Sequence, residues 1–336
     1  MAGFRSLLNA DSIEWLLEKD ETNPSVRYFA MRDLLGKPES DREVIAAKKA
    51  IMKTGPVPKI LAKQKPGGYW GKPEEFYVNA KYKGTVWNTI LLAELGADGK
   101  DRRIRKACEF ILEYSQDRES GAFSHRSAAA GGGSREVIPC LTGNMIWALI
   151  RFGYLKDPRV QRGIEWITRY VRFDDGETCA PSEWPYKRFK SCWGKHTCFM
   201  GVVKCLNALA EIPEEKRTAD IRRTISDGAE FLLAHHVYKR SHDISKLIKP
   251  FWTKFFFPLM WNTDALDIFG LLARLGYKDE RMKDAAELIF SKQDENGCWK
   301  LERTYNDEML VRIEKKGRQS KWITLNALAA LKRFYS

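Results

Sequence analysis

Apolar runs that break on glycine recur along the chain. MRDLLG ending at Gly36, LLAELG at Gly96, ALIRFG at Gly153, NALAEIP at Pro213, LLARLG at Gly276 and NALAALKRF near the C-terminus lie about sixty residues apart, the mark of a repeated pair of elements. Each stop is followed by a polar turn and a second run, as in KDRRIRKACEFILEY, DPRVQRGIEWITRYV, ADIRRTISDGAEFLLAH and DERMKDAAELIFSKQ. In the second of these, Val160, Ile164, Ile167 and Val171 fall at helical spacing with charges between them, which predicts a helix with one wet face. The runs before the stops differ. TVWNTILLAEL over 85–95 and MIWALIRF over 145–152 are apolar on nearly every side, so they are predicted as helices enclosed by others. Alternating strand-like runs are nearly absent.

Enclosed helices from six repeats and amphipathic ones from five leave one outer place open, and Asp11 to Lys19 is expected to fill it by closing against the last repeat. The predicted class is therefore all-α: a single (α/α)6 toroid over residues 1–336, a double ring of about twelve helices around a central cavity. An open solenoid is the alternative, but the C-terminus has no polar capping repeat. Residues 120–136, which contain SAAAGGGSRE, read as a flexible Gly/Ser-rich loop and a candidate lid.

A further signature follows the amphipathic runs. Gln64 to Trp70 (QKPGGYW) and Gln293 to Trp299 (QDENGCW) both fit Q-x3-G-x-W, and Gln116 to Phe123 is a looser copy with one extra residue and Phe in place of Trp. The amide can bond an exposed helix end, glycine permits the tight turn, and the ring packs on the next repeat. These segments resemble the QW motif of squalene–hopene cyclases, in the superfamily that also contains protein prenyltransferase β-subunits. The resemblance spans the chain at the level of repeats. It implies an α/α toroid acting on an apolar, isoprenoid-type substrate, with aromatic residues such as Trp87, Trp147 and Trp261 lining the cavity and stabilising cationic intermediates. The chain departs from the family where the chemistry lies: D-x-D-D, DDxxD and D-x-C are all absent.

Composition adds chemistry to this frame. Hydrophobic residues make 44% and charged residues 30% of the 336, an ordinary globular balance. The first ten residues are too short and polar for a secretory or spanning segment, so the expected location is cytoplasmic, where the seven cysteines stay reduced. Cys140, Cys179, Cys192, Cys198 and Cys205 cluster centrally with His196. Cys192-Trp-Gly-Lys-His196-Thr-Cys198 opens one enclosed helix and Cys140 the preceding one, so Cys140, Cys192, His196 and Cys198 are a candidate tetrahedral Zn²⁺ set at the rim; Cys179 is a possible fifth member. Lanthionine cyclases are similar in placing a Cys/Cys/His zinc at such a rim, without this spacing. The other reading is that these cysteines are small buried hydrophobes.

Asp264 and Asp267, between Trp261 and Phe269, are candidate general acids, with helix N-capping the alternative for Asp264. His242 beside Asp243 is a third catalytic candidate, in a cationic group that also reads as a solvated loop. The 57 Lys+Arg exceed 44 Asp+Glu, giving +13, and the excess gathers in 187–195, 239–254 and 315–321 near helix N-termini. An apolar or anionic small molecule is the partner this favours; nucleic acid is disfavoured because no recognised module accompanies the charge. FWTKFFFPLMW over 251–261 has three readings: core, a homo-oligomer interface, or peripheral membrane contact. Beside the cyclase-like enzyme stand a non-catalytic ligand- or partner-binding toroid with structural zinc, and a polysaccharide-processing toroid enzyme.

Overall fold

The computed structural model describes residues 6–74, 77–78, 80–176, 180–187, 190–194 and 196–336. In chain order its helices are α1 (Ile13–Leu17), α2 (Pro24–Phe29, continued by a π-helical turn, Ala30–Leu34), α3 (Arg42–Ile51), α4 (Pro56–Leu61), α5 (Thr85–Glu94), α6 (Arg102–Tyr114), α7 (Pro139–Arg151), α8 (Pro158–Tyr170), α9 (Lys190–Trp193), α10 (Phe199–Ala210), α11 (Ala219–Ala234), α12 (Ala265–Arg274), α13 (Lys283–Ser291) and α14 (Lys321–Tyr335). The class is all-α, as the periodicity predicts. One antiparallel hairpin among the described residues, β1 (Lys239–Arg240) and β2 (Asp243–Leu247), departs from it. Its residues are mostly exposed, so no apolar alternation announces it.

Helix α5 shows what encloses a run such as TVWNTILLAE. Thr85 to Ala93 are all buried, and the polar members bond within the helix and its approach: Thr89 Oγ1 donates to Thr85 O at 2.8 Å, and Asn88 Nδ2 to Lys83 O and Gly84 O at 2.7 and 2.9 Å. Helix α6 instead buries Ile104, Ala107, Cys108 and Ile111 and turns its charges outward. The same alternation sets α2, α7, α10, α12 and α14 against α3, α8, α11 and α13. The amphipathic partners begin on a repeated cap. Asp101, Asp157 and Asp279 accept the N–H of Arg103, Arg159 and Arg281, and each guanidinium returns to the same carboxylate at 2.7, 2.7 and 2.8 Å. The apolar helices stop as the sequence implies: Gly96 takes φ +72° and Ala97 N donates to Leu92 O at 2.9 Å, closing the last turn of α5.

The Q-x3-G-x-W segments form corners with one shared bond set. After α6, Gln116 Nε2 donates to Gly121 O and to Arg159 O on α8, both at 2.7 Å, while the N–H of fully buried Phe123 donates to Thr142 Oγ1 on α7 at 3.0 Å. Gln64 Nε2 likewise reaches Gly68 O (3.3 Å) and Arg103 O (2.9 Å), and Trp70 N reaches Thr85 Oγ1 (3.2 Å). Glycine is required twice over at Gly68: φ is +90°, and a Cβ there would sit 2.4 Å from Lys106 O on the amphipathic helix.

Two compact units divide the chain. One gathers Met1–Ile60, Leu232–Leu259 and Thr263–Ser336, the other Leu61–Phe231 with Met260–Asn262. In the first unit, the third corner finds its partner at the opposite end of the sequence. Trp299 N donates to Thr324 Oγ1 at 3.0 Å, but Gln293 Oε1 accepts from Asn9 N at 2.8 Å, and a Cβ on Gly297 would lie 2.2 Å from Ala10 O. The segment before α1 thus takes the position that α6 and α8 hold at the other corners. Lys321 Nζ on α14 bonds Glu18 and Asp20 at 3.0 and 3.3 Å, and Lys332 Nζ bonds Leu34 O at 2.8 Å. The N-terminal helix therefore closes against the last repeat, as expected.

The 251–261 stretch is core: Trp252, Phe255, Phe256 and Phe257 are at most 3% exposed, and Phe257 stacks on Trp322 at 4.3 Å. Burial of these rings favours the core reading of the stretch. No described helix is long and apolar enough to cross a membrane. The Gly/Ser-rich 120–136 stretch is bonded back onto α6 and its corner, Ala128 N to Tyr114 O (3.0 Å) and Gly132 N to Gln116 O (2.9 Å), with His125 paired to Glu136 at 2.8 Å.

Candidate functional site

In the second unit α7 and α10 lie flush, because Gly143 lets the backbones touch: a Cβ there would sit 2.4 Å from the Lys204 carbonyl carbon. That packing brings Cys140, second residue of α7, toward Cys198, the N-cap of α10. The Cys140 thiol bonds the Tyr77 phenol; burial pushes the thiol up to about 12, with Cys198 adding to the effect, and pushes the phenol well above its usual range. Cys205 is buried beneath them, its thiol donating to Pro139 O at 3.4 Å and raised by the same burial. These thiols are held protonated.

His196 does not join them. Its imidazole side chain is 66% exposed and faces Asp175, Nδ1 to Oδ1 3.7 Å, and its backbone bridges to the same residue. Among the described residues, no three His, Cys, Asp or Glu side chains form a group disposed to hold a metal ion. In this structure Cys140, Cys192, His196 and Cys198, the expected zinc set, are not disposed as such a group: the Cys140 thiol is buried against the Tyr77 phenol while the His196 imidazole faces the Asp175 carboxylate. Cys179 lies outside the described residues.

Cys192 and Cys198 instead line a cleft of about 240 Å³, its mouth included, with Pro139, Val171, Val202, Arg172, Trp193 and Thr197. Arg172 is ion-paired with Asp174 and donates from Nη1 to Gly194 O at 3.2 Å. Trp193 is buried against Trp166 and Tyr186, ring centroids 5.7 and 5.4 Å apart. Trp193 Nε1 and Thr197 Oγ1 are buried and have no hydrogen-bond partner among the described residues. No residue pattern signalled this: Thr197 and Trp193 become cleft walls only where they meet Val171, Pro139 and Val202 in the folded chain.

The carboxylates singled out in the first unit are committed to helix starts. Asp264 is 2% exposed and N-caps α12; Oδ1 accepts from Asp267 N and Oδ2 from Phe256 N, both at 2.8 Å. Asp267 Oδ2 accepts from Thr263 Oγ1 at 2.8 Å. His242 sits exposed in the β1–β2 turn, while Asp243 beside it engages Ser245 and Lys246 at 2.6 and 2.8 Å. A carboxyl not foreseen is Glu314, before α14. Its Oε1 accepts from Lys321 N at 2.9 Å, Ser320 donates to Oε2, and enclosure raises its pKa above the ordinary value. A serine N-cap six residues later was the available signal.

The aromatic candidates differ among themselves. Trp87 is fully buried, stacked on Tyr77 at 4.7 Å with Nε1 donating to Tyr77 O at 2.8 Å. Trp147 donates to Glu211 at 3.1 Å under the Arg151 guanidinium. Trp261 donates to Tyr82 Oη at 2.8 Å, with Lys81 Nζ 4.9 Å from its ring. Of the three, Trp261 alone already pairs its ring face with a cation near a tyrosine.

The helices and corners define a helical-repeat protein of paired enclosed and amphipathic helices. No protein-family model matches the chain, and no curated protein matches it. Among solved structures it is similar to the unliganded type II terpene cyclase from Scytonema, at 16% identity and TM-score 0.43, covering 93% of this chain and 87% of that one. A variant of that cyclase with geranylgeranyl dihydroxybenzoate gives 15% and 0.40, covering 94% and 87%. A protein from Actinoplanes gives 12% and 0.31, covering 83% and 97%. The reading of the site rests on this chain's own residues.

Proposed function

We propose that the chain is an α/α-toroid enzyme acting on an apolar, isoprenoid-type substrate by cationic chemistry. The observation that carries this is the corner: in three Q-x3-G-x-W-type segments the N–H of the aromatic residue is bonded to a threonine of the next enclosed helix each time, and in two of them the Gln amide donates to the corner glycine and to the neighbouring amphipathic helix. Segments alike in spelling are thus alike in bonding within this chain, and the spelling is the one that resembles the cyclase and prenyltransferase superfamily.

The reaction begins with a proton. A carboxylic acid adds its proton to one alkene carbon, the π pair forms the new C–H bond, the cation appears on the neighbouring carbon, and loss of another proton ends the sequence. Asp264 accepts from two backbone N–H groups and is engaged as the cap of α12. Glu314 is the better donor because enclosure keeps its proton on to higher pH, and Ser320 fixes one of its oxygens. Asp267 is the second candidate. No step is assigned to a metal.

Organic extraction of freshly purified protein, followed by mass spectrometry, tests the substrate class. An apolar compound of isoprenoid mass, absent from a mock purification, is expected. Enrichment of oligosaccharides instead would overturn the reading in favour of a polysaccharide enzyme.

A further inference from the structure

We propose that the cleft at the start of α10 is a binding site for a small, largely apolar molecule ending in a carbonyl or carboxylate oxygen. The proposal goes beyond the function above and does not depend on it. Trp193 Nε1–H and Thr197 Oγ1–H belong to residues of the cleft wall and are buried with no partner among the described residues. Leaving two donors unsatisfied is costly, and a native structure tolerates it where something else accepts the bonds.

Size and charge narrow what that is. The enclosed interior amounts to about 10 Å³, the room of one water-sized atom, and beyond it the cleft is open to solvent. One oxygen fits against the donors; a phosphate does not. Arg172 is balanced by Asp174, so among the described lining residues there is no spare cation for a polyanion. Pro139, Val171 and Val202 give the rest of the wall an apolar surface suited to a hydrocarbon tail. A ligand whose head accepts from Trp193 and Thr197 therefore lays its tail over Cys192 and Cys198.

Those two thiols supply the readout. Iodoacetamide labelling of the full chain, quantified by peptide mass spectrometry, is followed with hexanoate, hexylamine or inorganic phosphate present. Hexanoate is expected to slow labelling of Cys192 and Cys198 by about tenfold at saturation, and neither of the others to do so. Thr197→Val and Trp193→Phe, each checked for native circular dichroism, are expected to raise the half-protecting hexanoate concentration about three- to tenfold, the loss of one hydrogen bond. Equal protection by hexylamine would show that no head group is read, and protection by phosphate would show a polyanion site. Either result, or labelling unaffected by hexanoate below its micellar range, overturns the proposal. None of these outcomes bears on whether an isoprenoid co-purifies.

Discussion

The Gln116–Phe123 corner and the Cys192–Cys198 cleft both border helix α7, and they treat their polar groups in opposite ways. In the corner, Gln116 spans two carbonyls and the Phe123 N–H finds Thr142. In the cleft, Trp193 and Thr197 keep buried donors that no described residue accepts. A region that satisfies every bond serves stability, and one that leaves bonds open is where a ligand contributes. The contrast is sharp because both regions are well packed otherwise.

Removing a corner aromatic is the largest blow to the first half of that comparison. Trp299→Ala is expected to cost about 3–5 kcal/mol, read as a lower urea midpoint, because the indole is fully buried and its Nε1 donates to Ile289 O at 2.6 Å. Cutting only the polar part of a corner costs less. Gln116→Ala strands the Gly121 and Arg159 carbonyls and is expected to cost about 1–3 kcal/mol. Thr197→Val is the counter-test: it deletes a hydroxyl that has no partner among the described residues at nearly constant volume, so urea stability is expected to move by less than about 0.5 kcal/mol. A cleft variant as damaging as Gln116→Ala would erase the distinction.

Acid titration has the smallest effect and acts on the caps. The Arg281 hydrogen bonds hold the Asp279 carboxyl at about 2, below its ordinary 3.8. A depressed folded pKa means stabilisation that is present above the unfolded value and lost as pH falls through the folded one, so the window is from about pH 4 down to about pH 2. Asp279→Asn is expected to flatten the fall in unfolding temperature slightly across that window. Glu314 runs the other way: its raised pKa makes the folded state favour the proton, so its contribution is fullest below the unfolded value and declines as pH rises through the folded one. Unfolding temperatures of Glu314→Gln and wild type should diverge with rising pH, the variant gaining.

Much of the architecture was legible because periodicity is an additive signal: α5 and α6 differ in pattern along their whole length, and Gly96 marks the stop between them. The corners were legible as spelling, but Thr85, Thr142 and Thr324 were not, since a threonine inside an apolar run looks like filler until the aromatic N–H above it needs an acceptor. Asp264 followed the capping alternative that its position before an apolar run suggested. The cysteine spacing carried less. It brought Cys140 toward Cys198, but whether His196 turned inward depended on Asp175, twenty-one residues earlier in a connection with no periodic pattern. The cleft was invisible for the same reason, because an unsatisfied donor is a property of the folded connection and not of any residue type.

Product analysis tests the central claim most directly. Purified protein is incubated with all-trans polyprenyl substrates of increasing length, and the organic phase is analysed by gas chromatography and mass spectrometry. The account predicts a product of altered retention that forms with wild-type protein and falls by about 10²–10⁴-fold in Glu314→Gln, as loss of a general acid requires. Substrates recovered unchanged from folded wild-type protein at every length, with no isoprenoid co-purifying, would contradict it.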